Sequence, residues 1–147
     1  MFLSIQFANA HSKVLQRTEA AVITASEIHA MQNSDDWNER FVIVDVRAKT
    51  ETDVSIIPGA ITKSEFERTL DQHRDKAVIV YCTIGHRSER YARKIRAKGW
   101  RTYNYKGSIL DWCERQFSLM TTDGMATNCV HTYSSKYTAA EGYKAVH

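Results

Sequence analysis

The 147-residue chain contains one proline, Pro58, and no Cys-x-x-Cys pair among its three cysteines, Cys82, Cys113 and Cys129. An odd cysteine count without paired spacing argues against a disulfide framework and for a reducing compartment, which makes the cytoplasm the expected location. Its apolar runs are a few residues long, far below the roughly 20 that a membrane-spanning helix needs. The first ten residues are apolar, but they lack a basic start and reach Gln6 and Asn9 before a signal-peptide core forms, so export is not expected. The six histidines show no His-x-x-x-His spacing, and Cys129-Val-His131 alone falls short of the about four ligands of a zinc site. No metal site is expected from these residues. Repeats and low-complexity tracts are absent too. The net charge is small, +3 from 20 basic and 17 acidic residues.

What is present suffices for one folded domain. Hydrophobic residues make up 43% and aromatic residues 10%, enough to bury a core. Phe41–Val46 and Ala77–Cys82 are continuous, β-branched and bounded by charge, the pattern of strands buried on both faces of a parallel sheet. Arg101–Tyr105 reads as a further strand. Thr24-Ala-Ser-Glu27 forms a capping box for a helix to about Gln32. Helices are also expected over Lys63–Leu70, over Ser88–Lys98 with Ser88 as N-cap and Gly99 as stop, and over Ser108–Phe117. Alternating strands and helices predict an α/β fold, an open parallel β-sheet flanked by helices on both faces. The division is an N-terminal extension (1–20), the α/β domain (21–117) and a C-terminal extension (118–147), either extra elements or a loosely packed tail.

The segment Cys82-Thr83-Ile84-Gly85-His86-Arg87-Ser88 carries the chemistry. A cysteine ends a buried strand, and a glycine-centred loop leads directly into a helix. Ligands of open α/β sheets bind at strand C-termini, and a helix N-terminus offers free N–H groups and a positive dipole end. That environment favours the reactive thiolate. Gly85 lets the backbone curl so that successive N–H groups converge, and Arg87 and His86 add positive charge. The other reading of Cys82 is a small buried hydrophobe, the usual fate of a free cysteine. The coincidence of glycine, arginine, serine and strand-to-helix position favours a nucleophile.

From about Thr24 to Phe117 the chain resembles the rhodanese (sulfurtransferase) family. Asp45-Val46-Arg47, Glu51 and Ile57-Pro58-Gly59-Ala60 match one signature, with Ile56 where the family has histidine. Val78–Cys82 with Thr83–Ser88 matches the active-site loop, and Glu89–Trp100 the following helix. Tyr105–Trp112 matches a Leu-x-Gly-Gly-x-x-x-Trp segment, with Ser108 at the second glycine as the expected N-cap. The resemblance implies that Cys82 takes a sulfane sulfur from thiosulfate or a persulfide donor, holds it as a persulfide and passes it to cyanide, a thiol or a carrier protein. It assigns stabilisation of that persulfide to the amides of Thr83, Ile84, Gly85, His86, Arg87 and Ser88, and implies no metal and no organic cofactor. Cysteine-dependent phosphatases related to this fold carry Cys-x5-Arg; Cys-x4-Arg here makes a tighter ring, better suited to one sulfur atom. The alternatives are a non-catalytic protein-binding module and, behind it, a phosphatase or arsenate reductase.

Three supporting residues accompany the loop. Asp45 and Arg47 stand at a strand end and read mainly as structural, pairing with neighbours such as Glu51. Trp112 falls where the family places an aromatic near the loop, although a core position is the default for tryptophan. Cys113 and Cys129 lie in sequence surroundings unlike those of Cys82 and read as inert rather than as resolving thiols. Residues 87–101 hold seven basic side chains against Glu89, a net +6, leaving −3 for the remainder. The basic stretch shows no aromatic interleaving of the kind that reads bases, so no nucleic acid is expected, nor a membrane; the resemblance implies as partners a small anionic sulfur donor and a sulfur-acceptor protein.

Overall fold

The structure, a computed structural model, describes residues 21–147. The N-terminal extension and the signal-peptide question lie outside the described residues. Five parallel strands form the main sheet: β1 (Ala21–Val22), β2 (Phe41–Asp45), β3 (Ala60–Thr62), β4 (Ala77–Tyr81) and β5 (Thr102–Asn104), in the order β1-β5-β4-β2-β3. β2 and β4 run in register from Phe41 beside Ala77 to Asp45 beside Tyr81. Their unbroken apolar character follows from burial on both faces. Ile43, Ile79 and Tyr81 point into one core, Val42, Val44, Val78 and Val80 into the other.

Helices fill both sides. On the first face pack α1 (Ala25–Gln32), through Ile28, and α6 (Ser108–Glu114), through Ile109 and Trp112. The capping box at the head of α1 is formed: the Glu27 amide donates to Thr24 Oγ1 at 3.3 Å, and the Thr24 amide to Glu27 Oε2 at 2.8 Å. On the second face pack α4 (Lys63–Arg68), through Phe66, and α5 (His86–Ala97), through Tyr91, Ala92 and Ile95. Two single-turn helices, α2 (Trp37–Arg40) and α3 (Lys49–Thr52), flank β2. Phe66 stacks edge-on against Trp100 at 5.2 Å between centroids. Among the described residues no helix is long and apolar enough to cross a membrane.

Several boundaries differ from the sequence expectation. α5 begins at His86 with Gly85 as its N-cap, three residues before the expected N-cap Ser88. The loop is tight enough that the helix starts as soon as Gly85 has turned the chain. The helix expected over Lys63–Leu70 ends at Arg68 and continues as a 3-10 turn over Leu70–His73. α6 stops at Glu114. Its N-cap is Gly107, and Ser108 is its first residue, at a left-handed φ of +58°.

Residues 118–147 carry four short strands: β6 (Leu119–Met120) pairs with β7 (Ala126–Thr127), and β8 (Cys129–His131) with β9 (Lys144–Val146). Leu119 and Val130 are fully buried in the first core, and Tyr143 donates from its hydroxyl to the Phe117 carbonyl at 2.6 Å. The segment is therefore packed onto the sheet domain.

Candidate active site

The chain leaving β2 turns outward to β3, whereas the chain leaving β4 turns to β5 on the opposite side. A crevice opens where neighbouring strands diverge in this way, beyond their C-terminal ends. Cys82, the first residue after β4, sits there and is 1% exposed. The loop around it is held from beneath. The Ile109 and Leu110 amides at the head of α6 donate to the carbonyls of Cys82 and Thr83 at 3.1 and 3.3 Å. The Cys82 amide donates to Ser108 Oγ at 3.0 Å, and that hydroxyl donates to the Tyr105 carbonyl at 2.9 Å. Ser108 thus serves the loop rather than its own helix.

Polar groups converge on the sulfur. The Gly85 amide donates to Cys82 Sγ at 3.1 Å, the thiol in turn faces Ser88 Oγ at 3.5 Å, and Ser108 Oγ lies 3.9 Å away. Gly85 adopts φ +96°, and a Cβ there would meet the Lys106 carbonyl oxygen at 2.2 Å, so glycine alone fits. Burial by itself pushes the thiol's pKa up. Hydrogen bonds from the Ser88 hydroxyl and amide, the Gly85 amide and the Ser108 hydroxyl outweigh it and bring the pKa below its ordinary value. The thiolate is therefore favoured by short-range donors.

Arg87 is differently engaged than its sequence position suggests. It forms a bidentate pair with Glu51, at 2.7 and 2.8 Å, and donates to Thr83 Oγ1 at 2.9 Å. Glu51 is 3% exposed, and although burial favours its neutral form, the Arg87 pair and the Ala48 amide hold its pKa at about 2. Arg87 thus ties the loop to α3. Asp45 and Arg47 form their own fully buried pair, with Arg47 also donating to the Ser55 carbonyl at 2.6 Å. Arg47 was expected to pair with neighbours such as Glu51; its direct partners are Asp45 and Ser55, because Arg87 takes the Glu51 carboxylate. Trp112 is buried in the core, with its indole N–H on the Ser118 carbonyl at 2.9 Å.

A pocket of about 160 Å³ opens above the sulfur. Cys82, Thr83, Ile84, His86 and Arg87 line it, so the structure brings those loop residues together. Gly85 and Ser88 stand behind it as donors, while Asp45, Arg47 and Trp112 support the fold around it. Two further lining residues, Tyr133 and Tyr137, come from the C-terminal extension. Nothing in their spacing announces them, because the pairing of β8 with β9 brings them in. Cys113 is fully buried, and burial pushes its thiol up to about 12. Neither Cys113 nor Cys129 lines the pocket.

Comparison with known proteins follows the same outline. A tRNA sulfurtransferase of Desulfurococcus amylolyticus is 38% identical over 68 residues, 46% of this chain and 14% of that protein. A tRNA uridine(34) hydroxylase of Acinetobacter baumannii is 31% identical over 94 residues, 54% of this chain and 30% of that protein. The chain thus spans less than a third of either relative. The crystal structure of a rhodanese-related protein from Thermoplasma volcanium shares the fold with a TM-score of 0.57 at 22% identity, covering 68% of this chain and 97% of that one. The family model for the rhodanese-like domain matches residues 24–115, which contain the whole sheet except β1 and the entire Cys82 loop. The chain belongs to the rhodanese-like domain family.

Proposed function

We propose that the protein is a sulfurtransferase in which Cys82 carries a sulfane sulfur between a donor and a thiophilic acceptor. The carrying observation is the Gly85 amide 3.1 Å from Cys82 Sγ, at the mouth of a helix and inside a pocket open to small molecules. The Cys82 thiolate attacks the outer sulfur of thiosulfate or a persulfide, and the bond between the donor's sulfurs breaks. Sulfite or a thiolate departs with the electron pair. The new persulfide extends the thiol by one atom into the pocket, where the amides of the 83–88 loop stabilise its charge. Cyanide, a thiol or a carrier protein then takes the outer sulfur and restores Cys82. The two remaining free cysteines suit a reducing compartment such as the cytoplasm.

A phosphatase reading fits less well. Four residues separate Cys82 from Arg87, and the Arg87 guanidinium is turned onto Glu51 rather than into the pocket as a ligand for oxyanions. The test is steady-state thiocyanate formation from cyanide and a sulfane donor. The native chain is expected to turn over and Cys82→Ser to lose activity to background; equal rates in the two would remove the proposal.

A further inference from the structure

We propose that Tyr133 and Tyr137 make this pocket selective for monoanionic organic sulfane-sulfur donors, persulfides or thiosulfonates with an apolar or aromatic group, over the inorganic dianion thiosulfate. The inference rests on Cys82 as the sulfur acceptor. Its first support is charge. The pocket is lined by two side chains that can carry positive charge, exposed His86 and Arg87, and the Arg87 charge is opposed by the buried Glu51 carboxylate at 2.7 Å. Once inside the pocket, past the cations of the adjoining groove, a dianion beside the thiolate therefore meets little uncompensated positive charge, and a monoanion is repelled less.

The second support is shape. The remaining lining is Ile84 and the two tyrosine rings around a small hydroxyl, Thr83 Oγ1, already engaged with Glu51 and Arg87. A volume of about 160 Å³ is close to that of an engineered protein cavity, about 150 Å³, which accepts benzene. The third support is backbone conformation. Tyr133 is 60% exposed, yet it holds φ +71°, a left-handed conformation that bulky residues rarely adopt. Its surroundings enforce it. The Tyr133 amide donates to His131 Nδ1 at 3.0 Å, and the neighbouring Thr132 is fully buried, with its amide on the Val146 carbonyl at 2.8 Å. The Tyr137 amide donates to the Ser134 carbonyl at 3.2 Å, closing the turn between the two rings. The Tyr133 ring lies over the Arg87 guanidinium at 4.9 Å. A strained backbone that presents a largely exposed aromatic beside a reactive thiol marks a functional position.

The transfer balances without an external oxidant or reductant. With a persulfide anion R–S–S⁻, the Cys82 thiolate forms a bond to the outer sulfur and the donor's S–S bond breaks. Its electron pair leaves on R–S⁻, and the transferred sulfur keeps its negative charge. With a thiosulfonate R–SO2–S⁻, the departing group is the sulfinate R–SO2⁻.

The experiment compares thiosulfate, methanethiosulfonate and benzenethiosulfonate as donors to the full chain, with cyanide as acceptor and thiocyanate as readout. The two thiosulfonates have the same charge, and the intrinsic difference between their sulfinate leaving groups cancels when their kcat/KM ratio is compared between the native chain and a variant, so the change in that ratio isolates contact with the organic substituent. The native chain is expected to favour benzenethiosulfonate over methanethiosulfonate, and both over thiosulfate. Tyr133→Ala and Tyr137→Ala should each lower the aromatic-to-methyl ratio by about five-fold, the scale of one aromatic contact, while Tyr133→Phe keeps it. Circular dichroism of each variant checks its fold, and two separate variants keep one misfolded protein from deciding the matter. A native preference for thiosulfate, or a ratio unmoved in both alanine variants, overturns the selectivity while leaving Cys82 as the sulfur carrier. Failure of all three donors, with the native chain no faster than Cys82→Ser, overturns both.

Discussion

A methyl group at position 85 would have to share space with the Lys106 carbonyl oxygen, on a backbone whose φ is +96°. Gly85→Ala is therefore expected to cost more than the about 1–2 kcal/mol of a left-handed L-residue, read by chemical denaturation, and to move the amide away from Cys82 Sγ. The serine beside it acts on the proton. Cys82 has a lowered pKa because Ser88 and Gly85 donate to its thiolate in spite of burial, so Ser88→Ala should shift the pH midpoint of iodoacetamide alkylation upward. A midpoint unchanged by the substitution would contradict the donor account. Glu51 supplies the acid-side prediction. Its folded pKa of about 2 lies below the ordinary carboxylate value of 4.5, so the stability it contributes is present above about pH 4.5 and is lost as pH falls toward 2. Glu51→Gln should flatten that part of the stability profile, measured by urea midpoints across the range.

The elements that sequence reasoning locates are those whose own residues decide them. β2 and β4 are legible because a strand buried on both faces must be apolar throughout, and α5 because Tyr91, Ala92 and Ile95 recur on one side and Gly99 ends it. The N-cap of α5 lies three residues before the expected Ser88 because serine is the commoner N-cap, whereas the turn here demands the left-handed φ of Gly85. β1 has two residues and β3 three, too few for a period. The Arg87–Glu51 pair spans 36 positions and has no local signature. The C-terminal extension is obscure for the same reason: single residues such as Leu119 and Val130 bury themselves in a core built by other elements. Val130, fully buried in β8, anchors the strand that leads to Tyr133. Val130→Ala is expected to destabilise the protein by about 2 kcal/mol, read as a lower denaturation midpoint at unchanged slope.

For the whole molecule, the +3 net charge conceals a division between a segment of net +6 over residues 87–101 and a remainder of −3. Arg87, Arg90 and Lys94 line, with Lys63, a groove of about 290 Å³ that shares Arg87 with the Cys82 pocket. Positive charge is thus concentrated beside the pocket rather than inside it. Its expected role is to draw anions toward the site over a distance of order 10 Å, the screening length at 0.1 M salt. Raising salt from about 0.01 to 0.15 M should then lower kcat/KM for an anionic donor about two- to three-fold, with kcat nearly unchanged. An insensitive kcat/KM would assign the basic helix face to solvation alone. The sheet, the loop and the basic helix together place the Cys82 thiol, its pKa lowered by hydrogen bonds, in a pocket beside that positive charge. The direct measurement is intact-protein mass spectrometry after treatment with a sulfane donor, followed by peptide mapping. The account predicts a gain of one sulfur atom, located on Cys82 and absent from Cys82→Ser. No gain in the native chain, or an equal gain in the variant, would contradict it.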